Sequence, residues 1–344
     1  MKKDPFISVI IPVKNLTYLL LHECLPELAK QTYKKYEVII LPNESSQYDL
    51  VLLKLYKNLR IVPTGTITRP AQKRDMGVQE AKGEVIAFLD DDAYPHPKWL
   101  EEAAKLFKKH NIEAVCGPGA LPASSNTWEK IFDEVLKTGI GAGGFSYRFT
   151  PRAKRYVTDY PSMNFLIRKE VFQKLGGFNS NYWPGEDSKL CNDLIEKEKG
   201  KILYSPDVLV YHHRRKDLKG YLKQHGRYGF HRGAFFAHGD ENSRNIAYLI
   251  PSFFLAYLIS LPIFLLIGYT AGFLSYSLTA IILSPLALYC SFLLYLMLKS
   301  LLTTEDLLVS LGAPMVLFLT HAKYGLMFLK GFKKGQGNNE NIYE

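Results

Sequence analysis

The sequence predicts an α/β domain built on a mostly parallel, doubly wound sheet, followed by C-terminal transmembrane helices. Three observations carry this prediction. Short β-branched runs alternate with helix-length segments, the apolar strand Glu84-Val-Ile-Ala-Phe-Leu runs into Asp90-Asp91-Asp92 at a proline-bounded turn, and charge almost disappears after Ile246.

The elements follow in order. Ile7 to Val13 is a β-branched run broken by Pro12, and it reads as a first strand because it is too short, and lacks the small-residue cleavage site, for a signal peptide. Asn15 is the expected N-cap of a helix carrying Leu16, Leu19, Leu20 and Leu28. A second strand, Glu37 to Leu41, ends in the turn Asn43-Glu44-Ser45-Ser46, and a short strand at Arg60-Ile61-Val62 precedes a helix from Pro70 to Gly83. The aspartate strand comes next, then a helix from Pro97 to His110 and a strand at Glu113 to Cys116. Gly139 to Gly144, with its repeated glycines, is expected to be a mobile loop or lid. A strand at Met163 to Arg168 and a helix closed by Gly176-Gly177 lead through the loop Asn179 to Gly185 into a helix opened by Glu186 and Asp187, where the helix dipole favours acids. Strands at Ile202 to Tyr204 and Val208 to Tyr211 precede a helix with Leu218, Tyr221, Leu222, His225, Tyr228 and Gly229 on one face and basic residues on the other, a pattern suited to a membrane surface.

Composition narrows the class. Of 344 residues 47% are hydrophobic, and neither Ile246 to Thr270 nor Ala271 to Met297 carries a charge, so each can cross a hydrocarbon core of roughly 30 Å. Leu307 to Leu329 is nearly as apolar but is interrupted by His321 and Lys323, and it is expected to be re-entrant or interfacial. Cys24, Cys116, Cys191 and Cys290 are scattered, which argues against a zinc cage or a disulfide framework and fits a reducing cytoplasm. The net charge of +10 has no basic stripe interleaved with aromatics outside His212 to Arg232, beside the membrane segments. An anionic lipid surface or a phosphorylated ligand explains it better than nucleic acid.

Three adjacent carboxylates repel one another, so a cation is expected between them. Oxygen ligands suit Mg²⁺ or Mn²⁺, and these suit a phosphate-bearing substrate; a solvated acidic turn is the alternative. His212 or His213, ending a strand, could complete the metal shell, against the commoner role of a surface histidine.

The ordered motifs over about residues 6 to 236 resemble the inverting family 2 glycosyltransferases of GT-A fold, a Rossmann-like architecture. Ser8-Val-Ile-Ile-Pro-Val-Lys-Asn15 resembles the strand that grips the nucleotide base, and the resemblance places Pro12, Val13, Asn15, Arg74, Asp90, Asp91 and Arg227 in the nucleotide-sugar site. Glu44 is the stand-in for a base-reading acid, because Pro42-Asn43-Glu44-Ser45 departs from the usual pattern after the second strand. Asp90-Asp91-Asp92 occupies the Asp-x-Asp position, with Asp92, Asp90 and His212 as metal ligands. Gly185-Glu186-Asp187 resembles the motif supplying the general base, Asp187, with Glu186 beside it. Asn164, in the stretch ending Gly-Gly-Phe178, and Gln224 and Tyr228, in a near match to Gln-x-x-Arg-Trp, are placed on the acceptor side.

The resemblance implies a membrane-bound, metal-dependent hexosyl-type transferase acting by single displacement. Its donor is a nucleotide-diphosphate sugar, UDP-sugar favoured over GDP-sugar, and its acceptor a lipid-linked or glycan hydroxyl. The expected location is the cell membrane, multi-pass, with the catalytic domain cytoplasmic. Expected divisions are a catalytic domain over 1–215, an interfacial helix over 216–240, membrane helices over 241–330 and a polar tail over 331–344. A processive polysaccharide synthase and a non-catalytic sugar-nucleotide-binding scaffold are the competing readings.

Overall fold

The computed structural model describes residues 3–46, 49–178, 185–239 and 245–335, so most of the loop expected at 179–185 and the end of the tail lie outside the described residues. The chain begins with β1 (Ile7–Pro12), a π-helical turn (Leu20–Cys24) continued by α1 (Leu25–Ala29), β2 (Tyr36–Leu41), α2 (Asp49–Leu55), β3 (Leu59–Ile61) and α3 (Pro70–Glu80). Next come β4 (Val85–Leu89), β5 (Ala93–Pro95), α4 (Trp99–Lys109), β6 (Ala114–Cys116), β7 (Gly119–Ala120) and α5 (Thr127–Leu136). Then follow β8 (Arg155–Val157), β9 (Asn164–Arg168), α6 (Lys169–Lys174), α7 (Glu186–Glu196), β10 (Ile202–Tyr204) and β11 (Val210–His212). The last helices are α8 (Leu218–His238), α9 (Ile250–Thr270), α10 (Tyr276–Thr304) and α11 (Leu307–Gly335).

The chain forms two compact units, Met1–Ala123 with Tyr147–His213, and Ser124–Ser146 with Arg214–Glu344. In the first, an eight-stranded sheet has the order β3-β2-β1-β4-β9-β6-β10-β8. Every residue of β1, β2 and β4 is buried, which is why these strands read as unbroken apolar runs and not as alternating ones. Strands β3, β2, β1 and β4 are parallel to one another, so their carboxyl ends share one edge.

The eight-stranded sheet is mostly parallel, as the alternation of strand and helix predicts, and two of its strands run the other way. Strand β9 is antiparallel to both β4 and β6, and β8 is antiparallel to β10. Between β7 and β8 the chain enters the second unit instead of laying a crossover helix on the sheet, so no βαβ constraint fixes the direction of return. The first helix also starts later than expected. Thr17, not Asn15, caps it, its Oγ1 accepting from the Leu20 N–H at 3.2 Å.

The second unit is helical. Helix α5 opens with a capping box between Asn126 and Glu129, and it buries Glu129, Asp133 and Glu134. The fully buried Asp133 is matched by Arg214 and Lys137, each 2.7 Å away. Helix α8 turns Tyr221, Gly226, Gly229 and Gly233 inward, where Tyr221 stacks on Phe132 at 4.0 Å and the glycines meet α11. The approach is backbone to backbone: a Cβ on Gly233 would fall 2.1 Å from the Phe328 carbonyl, and one on Gly331 would fall 1.8 Å from that of Phe230. The face expected to lie on a membrane surface therefore largely covers another helix. The loop Gly139 to Gly144 belongs to this unit, and the Ile140 carbonyl accepts from His321 Nε2 of α11 at 3.4 Å.

Among the described residues, three helices are long and apolar enough to cross a membrane: Ile246–Thr270, Tyr276–Thr304 and Leu307–Gly335. The first two are almost wholly exposed, apolar on all sides, as lipid-facing helices are. Helix α11 differs, because it packs on α5, α8, α9 and α10. His321 in its middle has its Nδ1 3.0 Å from the Tyr289 hydroxyl of α10, so neither ring nitrogen is left unpaired.

Candidate active site

The carboxyl edge of the parallel strands gathers most of the residues expected at the site. Asp90, Asp91 and Asp92 follow β4, and β5 begins at the next residue. Strand β11 lies antiparallel to β5 with His212 opposite Ala93, and this pairing brings a histidine from far along the chain onto the aspartate turn. His212 Nε2 lies 3.1 Å from Asp92 Oδ1. One ligand atom each from Asp90, Asp92 and His212 falls within 4.8 Å of the others, and all three residues are half-buried. Two carboxylates and an imidazole so placed could hold a divalent cation. Asp91 is turned elsewhere, accepting from the Thr17 side chain. Burial, with Asp92 and Asp90 nearby, pushes its carboxyl up to about 6.

Arg74, on α3, is almost completely buried and donates from Nη2 to Asp90 Oδ1 at 2.7 Å. It also lies in the field of Asp187 and Glu186, the first two residues of α7. Burial pushes the Asp187 carboxyl up to about 7, reinforced by Glu186 and opposed by Arg74 and by hydrogen bonds from Ser162. Asp187 Oδ1 and Arg74 Nε are both buried without a hydrogen-bond partner among the described residues. An acid that titrates near neutrality, with one oxygen uncommitted, has the properties of a general base.

Other expected residues stand differently. Pro12 and Val13 are buried at the end of β1, and the Val13 carbonyl accepts from Lys73 Nζ at 2.6 Å, so they shape the strand end without offering side-chain surface. Asn15 and Glu44 are exposed on the loops after β1 and β2. Those loops are joined, with Asn43 N donating to the Lys14 carbonyl at 3.0 Å. Asn164 must be corrected. It is fully buried in β9, its Nδ2 donating to the Gly117 and Val208 carbonyls at 2.7 and 2.8 Å and its Oδ1 accepting from Trp99 Nε1 at 2.9 Å. Its amide is spent on the framework, which leaves none of it for an acceptor. Gln224, Arg227 and Tyr228 lie on α8 in the second unit. There Gln224 donates to the Tyr228 hydroxyl at 3.1 Å and accepts from Arg215 at 3.3 Å, while Arg227 and Tyr228 are exposed.

The comparisons with known proteins bear on this geometry. Residues 8–176 match the family model described as Glycosyl transferase family 2. They form a family 2 glycosyltransferase domain. The transferase is 24% identical over 342 residues to the Methanococcus voltae dolichyl N-acetyl-alpha-D-glucosaminyl phosphate 3-beta-D-2,3-diacetamido-2,3-dideoxy-beta-D-glucuronosyltransferase, covering 96% of this chain and 98% of that one. It is 27% identical over 195 residues to glycosyltransferase AglE of Haloferax volcanii, spanning 53% of this chain and only 59% of that relative's length. Among solved structures, the Pyrobaculum calidifontis mannosyltransferase PcManGT, in complex with GDP-Man and Mn²⁺, superposes with a TM-score of 0.56 at 19% identity, over 92% of this chain and 88% of that one. That likeness establishes the GT-A fold.

The transferase has further polar residues at this edge that sequence reasoning passed over. Lys73 directly precedes Arg74 in the sequence, yet its near-complete burial is visible only in the fold. Its Nζ joins the ends of β1 and β2 through the Val13 and Leu41 carbonyls and Asn43 Oδ1, the last two at 3.1 and 2.5 Å. Glu23 reaches His213 at 2.9 Å across 190 residues of sequence, which no local signal announces.

Proposed function

We propose that this transferase moves a sugar from a nucleotide-diphosphate donor to a hydroxyl of a lipid-linked acceptor by single displacement with inversion. One observation carries the reading: the convergence of Asp90, Asp92 and His212 beside a buried arginine that also faces Asp187. The donor set fits a divalent cation, and such an ion, when bound, supplies positive charge to a departing diphosphate. Asp90, Asp92 and His212 would hold it.

The chain's own residues supply the rest. Asp187, partly deprotonated near neutral pH, accepts the proton of the attacking hydroxyl at its uncommitted oxygen. Burial, with repulsion from Glu186, keeps that carboxylate basic, and Arg74 limits the rise. Asn15, Glu44 and Asp91 bind the nucleoside side of the donor, with Lys73 fixing the loops that carry Asn15 and Glu44. Arg227 pairs with diphosphate oxygens, and Gln224 and Tyr228 serve the acceptor.

The lipid-linked acceptor is supported by the dolichyl-phosphate-acting relative that matches nearly the whole chain and by the membrane-length helices. UDP-sugar and GDP-sugar both remain donors to be compared, the latter because the Pyrobaculum neighbour is described with GDP-Man. We place the enzyme in the cell membrane with residues 1–215 as a cytoplasmic catalytic domain, 216–240 as its link to helices over 241–330, and 331–344 as a polar tail. The test is transfer of radiolabelled sugar on membranes from a panel of nucleotide sugars. Single addition to a lipid extract is expected; a polymer would favour a processive synthase, and no transfer with any donor would sink the enzymatic mechanism.

A further inference from the structure

The histidine that follows His212 is held more firmly than a strand end requires. Strand β11 is three residues long and pairs with strands of three and two residues, too little to fix its own end. At that end the His213 N–H donates to the Asp92 carbonyl at 3.0 Å, and its ring Nε2 lies 2.9 Å from Glu23 Oε2. The pair is well shielded, with 9% of the His213 side chain and 24% of the Glu23 side chain exposed, unlike the surface ion pairs that contribute little. Glu23 itself sits in the π-helical turn Leu20–Cys24, a rare geometry that recurs at functional sites. The same turn follows Thr17, which bonds to Asp91. One short helical segment therefore grips the aspartate turn through Thr17 and the histidine strand through Glu23.

We propose that Glu23 is a positioning residue for the cation site: by holding His213 it fixes the neighbouring His212 against Asp90 and Asp92. The inference rests on the metal reading above, and it assigns to Glu23 the outer-shell work that orients a ligating imidazole through the adjacent peptide instead of through the ring itself. A merely structural pair would leave the ligand field untouched.

The experiment is Mn²⁺ binding to the purified full-length protein in detergent, followed by electron paramagnetic resonance, with pulsed detection of nitrogen coupling to the bound ion. The unsubstituted protein should bind one Mn²⁺ with a nitrogen signal that His212→Ala removes. Glu23→Ala should weaken Mn²⁺ by about tenfold or more and diminish or broaden that nitrogen signal. Glu23→Gln keeps an acceptor at the same place, folds more safely, and should retain the signal with affinity within about threefold of the original, well short of an outer-shell loss. Unchanged affinity and nitrogen coupling in folded Glu23→Ala overturns the positioning role alone. Failure of the unsubstituted protein to bind Mn²⁺ with any nitrogen signal overturns the metal reading and this proposal with it.

Discussion

Arg74 stands between two acidic groups, its Nη2 2.7 Å from Asp90 Oδ1 while its charge also acts on Asp187 of α7. Replacing it with Met should have two separable effects. The half-buried Asp90 carboxylate loses its cation, which costs about 2 kcal/mol, read as a lower denaturation midpoint. Asp187 loses the group that lowers its pKa, so the acid limb of the pH–rate profile should move to higher pH. A profile that stays in place would show that Arg74 serves Asp90 only.

Asp187 makes a signed prediction of its own. Its folded pKa is raised to about 7, so the base is increasingly available as pH rises, and kcat/KM should climb through that value. The stability contribution runs the other way. A raised folded pKa favours the fold below the unfolded value of about 4, and that contribution is lost as pH rises to about 7. Asp187→Asn should cut kcat by about 10²- to 10⁴-fold and remove this part of the pH dependence of Tm. Normal turnover with weakened donor binding would place the residue in the nucleotide pocket instead.

Asp92→Ala should abolish divalent-ion dependence and activity together while leaving the fold intact, because the side chain sits half-exposed at a turn and not in the core. Chelator should reproduce the loss in the unsubstituted enzyme. Full turnover of the variant in chelator would refute the role.

Asn164→Ala is expected to act on stability. It strands the Trp99 indole N–H and the Val208 carbonyl in the interior, while the Gly117 carbonyl keeps the Tyr160 hydroxyl, a loss of about 2 to 3 kcal/mol in denaturant unfolding. A raised acceptor KM with unchanged stability would restore it to the acceptor site.

Helix α11 should not cross the bilayer, although its length allows it. It is covered by α5 and α8, and α5 buries Glu129, Asp133 and Glu134, which belong at a membrane surface and not within it. A cysteine placed at Asn338 should therefore resist labelling from outside intact cells, whereas external labelling would establish three crossings.

What could be read from the chain beforehand follows from distance along it. The aspartate strand was legible because its apolar run and its acids are contiguous, and Glu186 and Asp187 were legible at a helix start for the same reason. His212 could be suspected by type, but its meeting with Asp92 depends on β5 pairing with β11 across 120 residues. Helix α5 is marked in the sequence by Asn126 and Glu129 at capping-box spacing and by Trp128, Ile131, Phe132, Val135 and Leu136 at helical spacing; what the chain does not announce is that its acids are buried against Arg214 and Lys137. Asn164 was misplaced because an amide that braces a helix indole and two loop carbonyls looks, in sequence, like one awaiting a substrate.

The glycine contact between α8 and α11 has a mechanical consequence. With Gly233 against the Phe328 carbonyl and Gly331 against that of Phe230, neither helix can slide or roll by repacking side chains, and the two behave as one rod. Helix α11 also packs on α9 and α10, whose tilt responds to the thickness of the surrounding hydrocarbon. A thicker or thinner bilayer would thus turn α8 together with α11, making the lipid environment a setting of the helical unit and not only its support.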